Sequence, residues 1–582
     1  MIWWVTQSRR ATDERLGIAD LEQRTAWLAN VRWRLANDFI LAADFEIILP
    51  DSEVVRLTIQ YPSFFPDVPP LVLSRDHHRI SGHQYGAGGE LCLEFRPDNW
   101  EPSVTGAMMI QSAYRLITGE RAASAEGNER TEVPSAHEVT FGQEIRASSC
   151  RLILTSGAST ALAGVQVLEP VPARFLEKRY AKTWTAYVTK VGDAWSENPP
   201  VEGGWKYEAT AVRLPAGATI PVPFSLATIT ALFDISGLSE CLAKLQKEDE
   251  ASNWLIADDH TCRLLMVYAR DEDKRQAIAY RTIPLSTDPA IRLPAENSAL
   301  EGKRVGIVGC GSVGSKVAVS LARSGIRNFT LIDGDILLPG NLVRNELDWR
   351  AVGVHKVEAV SARILEVAPN ADVSAFDIEL GGQESAEKTT LVMSALSSCD
   401  LIVEATADPG AFNLCAAVAR THEKPIVWAE VFAGGIGGII ARSRPQIEPP
   451  PQAARRQINA WCDNHGKMPG FAATEMPYTA LNPERRPMTA DDSDVSAVAA
   501  SLARLAVDTI ARPESSLFPQ SAYAIGLSAG WIFTAPFDTW PIDLAYEDQW
   551  GGPSEEFDEQ RLMSLLADLF PRDENNADRP PA

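Results

Sequence analysis

The stretch "RVGIVGCGSVGSKVAVSLARSG", residues 304–325, constrains the fold of this chain more than any other. An apolar, β-branched run meets three glycines, Gly309, Gly311 and Gly314, and passes at once into apolar residues at 313, 317 and 321 before a glycine stop. The pattern predicts a strand, a tight loop and an amphipathic helix. Glycines let such a loop close and let a phosphate approach the helix N-terminus, where unpaired N–H groups point at it. The next apolar run, "NFTLID", ends at Asp333, where an acid can bind ribose hydroxyls. A Walker loop is excluded, because the sequence reads Gly-Ser-Lys where that motif needs Gly-Lys-Ser/Thr. Taken alone, the pattern fits an NAD(P)-dependent oxidoreductase, or a non-catalytic nucleotide-binding scaffold, as well as any ATP enzyme.

The residues that follow favour ATP. "DGDILLPGNLVRNELDWRAVGVHKVEA" sets Asp335, Asn341, Arg344 and Lys356 just beyond the carboxyl edge of the expected sheet. A nicotinamide cofactor has a pyrophosphate to satisfy, whereas a triphosphate needs more donors and cations, which Arg and Lys supply. Asp408, closing "VEATAD", can hold Mg2+, an ion that prefers carboxylate and phosphate oxygen. A helix through Val357, Val360, Ile364 and Val367, and strands at "DLIVEAT" and "PIVWAEV", continue the alternation of a doubly wound parallel sheet. The glycine loop, the Asp333/Asp335 pair, "NLVRN", Lys356 and Asp408 together resemble the adenylation domain of ubiquitin-activating enzymes and of ThiF- and MoeB-type sulfur-carrier activators. The resemblance implies a Rossmann-like fold, ATP and Mg2+ as cofactors, and acyl-adenylation of a small protein's C-terminal carboxylate. It also implies a homodimer through this domain, with Arg292, just ahead of the first strand, reaching a nucleotide in the paired subunit.

An activated acyl group needs an acceptor, and that turns attention to Cys92 in "GELCLEF". By itself a cysteine between leucines is more often packing. Residues 15–125 predict an α+β unit: a helical pattern through "RLGIADLEQRTAWLANVRWRL", strands at "FEIILP" and "VVRLTIQYP", and a helix carrying Met109, Ala113, Leu116 and Ile117 inward with Ser103 placed to cap it. Pro62, Pro66, Pro69 and Pro70, then Cys92, then Trp100-Glu101-Pro102, in that order, resemble a ubiquitin-conjugating domain. That resemblance implies a catalytic thioester on Cys92. The family's oxyanion-stabilising asparagine is missing, since the corresponding stretch reads "DHHRISGHQ". His77, His83, Asn99 or backbone N–H groups are the available substitutes.

Activating enzymes also use a cysteine of their own ahead of a late helix. That helix is expected through Val495, Val498, Leu502, Leu505 and Ile510, but the preceding loop, "PYTALNPERRPMTADDSD", has no cysteine, and Cys462 lies well before it. Two routes stay open: an oxyester on Thr489 or Ser493, or direct transfer from adenylate to Cys92. Ser493 has a second reading as a helix N-cap.

Four segments are expected: a conjugating-like domain at 1–145, a middle α+β domain at 146–295 with no recognisable chemistry, the adenylation domain at 296–550, and an acidic tail at 551–582. A net charge of -23 excludes bulk phosphate neutralisation, so nucleic acid is not an expected partner. The eight cysteines include no Cys-x-x-Cys pair, which argues against a zinc knuckle or a disulfide scaffold. No apolar run is long enough to span a membrane, so a cytoplasmic enzyme is expected. The expected partners are a ubiquitin-like protein, or another protein's C-terminus, and an amine-bearing target protein. Bacterial fusions in this order occur in antiphage operons, so the resemblance implies a role in defence.

Overall fold

The computed structural model describes residues 2–36, 39–75, 80–81, 83–85, 89–125, 141–146, 148–199, 201, 203–247, 251–270, 274–284, 293–466, 480–481, 487–488, 490–547, 549–551 and 558–570. The chain divides into two compact units, Met1–Ser148 and Ser149–Ala582.

In the first unit, helix α1 (Ser8–Arg24) leads into four antiparallel strands, β1 (Leu28–Ala36), β2 (Ile40–Ile48), β3 (Val54–Tyr61) and β4 (Leu71–Ser74). Two short strands, β5 (Gln84–Tyr85) and β6 (Glu90–Leu91), and a long helix, α2 (Gly106–Ala125), follow. The sheet runs β1-β2-β3-β4-β6-β5. The helical pattern read through Leu35 stops at Arg24. Beyond it Val31 and Trp33 lean on the core while Asn30, Arg32 and Arg34 are exposed, a period of two that pairs the segment with β2. The α2 start is also corrected. Ser103 turns its hydroxyl to Glu101, and Thr105 accepts from the first-turn N–H of Met108.

The second unit opens with a nine-stranded mixed sheet between Cys150 and Pro284. After it come β7 (Arg304–Val308), α3 (Ser312–Ser324), β8 (Asn328–Ile332), α4 (Lys356–Val367), β9 (Asp372–Phe376), α5 (Ala386–Ser397), β10 (Leu401–Glu404), α6 (Pro409–Thr421) and β11 (Ile426–Val431). Strand β12 (Gly437–Ser443), helices α7 (Pro451–Asn464) and α8 (Asp492–Ala511), and strands β13 (Ala522–Gly526) and β14 (Thr539–Ile542) complete the layer. Strand order is β9-β8-β7-β10-β11-β12-β13-β14, parallel from β9 to β11 and antiparallel beyond. Helices α3, α4 and α8 pack on one face, and α5, α6 and α7 on the other. Covered on both sides, Ile307 and Val403 lose all exposure, each worth about 1.5–3 kcal/mol of burial. The chain leaves β7 toward β8 and returns to β10 on β7's other side. A crevice therefore opens at the carboxyl ends of β7 and β10. Within the segment expected to be an acidic tail, Glu559–Leu569 forms a helix, α9, all of it exposed. None of the described helices is long and apolar enough to cross a membrane.

Candidate functional site

The crevice holds a cavity of about 650 Å³, lined by Gly309, Gly311, Asp333, Asp335, Asn341, Arg344, Lys356 and Asp408, all expected from the sequence. Gly309 sits at φ +91, and a Cβ there would lie 2.9 Å from the Ala405 carbonyl and 2.9 Å from Thr406 Cγ2. A Cβ on Gly314 would lie 1.8 Å from the Gly309 carbonyl oxygen. No other residue type closes this loop against β10. Gly311 is the N-cap of α3 with no side-chain cap, so first-turn N–H groups are left for a ligand.

Asp333 fastens the loop. Its Oδ2 accepts from the Cys310 N–H at 2.6 Å and its Oδ1 from the Asp335 N–H at 2.8 Å. Burial raises its pKa, opposed by Lys356. Each oxygen keeps lone-pair capacity for a ribose hydroxyl. Lys356 is the first residue of α4 and only 7% exposed. A cation at a helix N-terminus opposes the macrodipole, and burial adds a desolvation cost. Asp335 offsets part of this at 2.6 Å, and a phosphate would offset more. Asn341 accepts the Leu338 N–H at 2.9 Å and so shapes the turn carrying Arg344. Arg344 is half-buried, and among the described residues its guanidinium has no hydrogen bond or ion pair. Asp408 caps α6 through Oδ1, which accepts the Ala411 N–H at 2.8 Å, and its other oxygen has no partner among the described residues.

These groups suit ATP and Mg2+. The glycine cradle is open where a Cβ would fill it, two cations face the same space, and Asp408 offers the single carboxylate that Mg2+ needs beside substrate phosphates. No cluster of three or more His, Cys, Asp or Glu among the described residues forms an all-protein metal cage.

Arg292 and Thr489 lie outside the described residues, although Ala490, next to Thr489, lines the cavity. Ser493 is not the N-cap of α8. Asp491 is, and it accepts both the N–H (2.7 Å) and the hydroxyl (2.5 Å) of Ser493. Those hydrogen bonds hold the Asp491 carboxyl below its usual value. Cys462 is buried, and burial pushes its thiol up to about 11.

In the first unit, Cys92 follows β6, with its N–H donated to the His83 carbonyl at 2.7 Å. It is 4% exposed; burial raises its pKa, and Arg96 works against that rise. Asn99 is spent on the loop, accepting the Arg96 N–H at 2.6 Å and donating to the Glu94 carbonyl at 2.8 Å. The His83 ring faces Glu120 at 3.6 Å, and His77 lies outside the described residues. Trp100 donates to the Pro66 carbonyl at 2.7 Å, so the Trp-Glu-Pro segment and the proline-rich turn are tied together.

Sequence reasoning missed the turn after β10. Glu404, 2% exposed, accepts from the Thr406 N–H at 2.8 Å and its hydroxyl at 2.5 Å, and Thr406 Oγ1 accepts the Asp408 N–H at 2.9 Å. It also missed Leu380, Gly381 and Gly382, which line the cavity after β9. The available signals were a strand ending in Glu and a Gly-Gly pair.

Residues 290–457 match the model of the ThiF family. The chain is 32% identical over 181 residues to the uncharacterized protein y4oA of Sinorhizobium fredii, covering 30% of this chain and 30% of that protein. It is 29% identical over 157 residues to the ATP-dependent ubiquitin transferase-like protein Cap2 of Enterobacter hormaechei subsp. hoffmannii, covering 25% of each. It is 32% identical over 145 residues to the adenylyltransferase and sulfurtransferase uba4 of Aspergillus terreus, covering 25% of this chain and 28% of that one. Each of these three matches therefore spans less than a third of the relative's length. The crevice is lined largely by residues of the segment that matches the ThiF-family model.

Proposed function

We propose that this protein joins the C-terminal carboxylate of a ubiquitin-like or partner protein to AMP, then carries the acyl group on Cys92 to an amine of a target. The observation that carries the reading is convergence: Gly309, Asp335, Asn341, Arg344, Lys356 and Asp408, from separate loops and helix starts, border one cavity at the sheet's switch point. Relatives named for ATP-dependent ubiquitin-like transfer and for adenylyl transfer support it.

A substrate carboxylate oxygen attacks the α-phosphorus, and the bond to pyrophosphate breaks. Lys356 and Arg344 neutralise charge that builds on the phosphates, in a low-dielectric wall where such contacts count for more than in water. Asp408 would hold Mg2+, which when bound supplies charge neutralisation for the leaving pyrophosphate. The Cys92 sulfur then attacks the acyl carbon, the bond from that carbon to the AMP oxygen breaks, and the thiol proton passes to the departing AMP phosphate or to water. Burial raises the thiol's pKa, so this proton transfer accompanies the attack. Ser493 is a poor intermediate carrier, since the Asp491 carboxylate on its hydroxyl is held below its usual pKa and is a weak base. An oxyester on Thr489 or direct transfer to Cys92 remain the routes of this reading. Pairing through the adenylation domain, with Arg292 serving the neighbouring nucleotide, and a defence role belong to the same reading.

The test is calorimetric titration of the full chain with MgATP and, separately, NAD+. MgATP binding weakened at least about tenfold in Arg344→Ala and Lys356→Ala is expected. Tighter binding of NAD+ than of MgATP would sink the proposal in favour of an oxidoreductase.

A further inference from the structure

The turn between β10 and α6 forms one wall of the cavity, and it is built on a buried carboxylate. Glu404 ends β10 with 2% exposure, and its charge adds to the rise in pKa of the fully buried Cys415 thiol on α6. One oxygen of Glu404 takes two hydrogen bonds from Thr406, at 2.8 and 2.5 Å. The same Thr406 hydroxyl accepts the Asp408 N–H at 2.9 Å. Between them Ala407 is held at φ +58, a left-handed conformation a non-glycine residue adopts at a cost. Thr406 also meets the glycine loop: its Cγ2 and the Ala405 carbonyl leave Gly309 no room for a Cβ. Glu430 on β11 and Arg455 on α7, 3.2 Å apart, are the charged groups among the described residues that bear on Glu404.

A buried carboxylate is expensive, and an apolar residue of similar size at a strand end would usually be neutral or stabilising. Here the acceptor holds a strained turn in one shape, and that turn aims Asp408 and backs the phosphate loop. We infer that Glu404 is a positioning residue which, through the Thr406 hydroxyl, sets the direction of Asp408 and the packing of the glycine loop. The inference rests on the adenylation reading above, because it assigns Glu404 to the site that reading defines.

The test uses the full chain and MgATP as the probe, with affinity and melting temperature measured side by side. Glu404→Leu and Thr406→Val should each weaken MgATP binding about 10- to 100-fold, the usual effect of removing an outer-shell partner. The melting temperature of Glu404→Leu should hold or rise. Glu404→Gln and Thr406→Ser, which keep the acceptor oxygen and the hydroxyl, should restore binding to within about threefold of the parent, because both hydrogen bonds can re-form. The double variant should bind no worse than the weaker single one, since both changes cut one chain of contacts. If Glu404→Leu does not fold, Thr406→Val against Thr406→Ser decides the matter. Undiminished binding in the cut variants, with the parent binding normally, overturns this inference alone. No MgATP binding by the parent overturns the adenylation reading and this inference together.

Discussion

Gly314 is the tightest single position in the site. A methyl group there would meet the Gly309 carbonyl at 1.8 Å, and backbone cannot move aside as a flexible side chain does. Gly314→Ala should therefore force the loop open and lower MgATP affinity by at least about tenfold, or about 1.4 kcal/mol. Calorimetry reads this directly, and an affinity within error of the parent would contradict it. Glu404 gives a pH prediction. Burial pushes its carboxyl up to about 7 from the usual 4.5, so the folded chain keeps a proton that the unfolded chain releases between those values. Its contribution to stability therefore falls as pH rises through that window. Glu404→Leu should gain stability over the parent between about pH 5 and about pH 8 in thermal melts. Equal differences at both would count against it. That the glycine loop, Arg344 and Lys356 meet at one cavity could be read from the sequence, because loop closure needs glycine and the two cations stand just beyond the strand ends. Glu404 could not, because its neighbours come from α6, α7 and β11, far along the chain.

Elements whose packing repeats at one period were legible. Val495, Val498, Leu502 and Leu505 all bury, as their spacing requires of α8. The run from Trp27 to Leu35 was not, since helix-like spacing of Leu21, Leu28, Val31 and Leu35 hides a switch to period two that pairing with β2 decides. Helix α8 is also anchored by charge. Arg442 of β12 is 0% exposed, bound to Asp508 at 2.9 Å and to Ser516 and Ser521. Removing the carboxylate leaves a buried guanidinium without its counter-charge. Asp508→Ala should cost about 3–5 kcal/mol in urea denaturation. A loss under about 1 kcal/mol would mean that the serines alone satisfy the arginine.

The two compact units divide the proposed chemistry between them, with the glycine-loop crevice in one and Cys92 in the other. Cys92→Ser should therefore leave MgATP affinity unchanged while abolishing any thiol-sensitive adduct on the chain, scored by gel with and without reductant. An adduct that survives reductant in both parent and variant would move the acyl carrier to a hydroxyl. At this level the sequence was least informative. The glycine loop identified one sheet, but the nine-stranded sheet between Cys150 and Pro284 mixes parallel and antiparallel neighbours from distant strands. Nor did the acidic composition after Gly551 disclose α9, whose Leu562, Leu565, Leu566 and Leu569 repeat helically among the charges. The near-complete enclosure of Cys92 has a final consequence. A sulfur kept from solvent is slow to meet peroxide or an alkylating agent, so iodoacetamide should label Cys92 in the folded chain far more slowly than in the unfolded one.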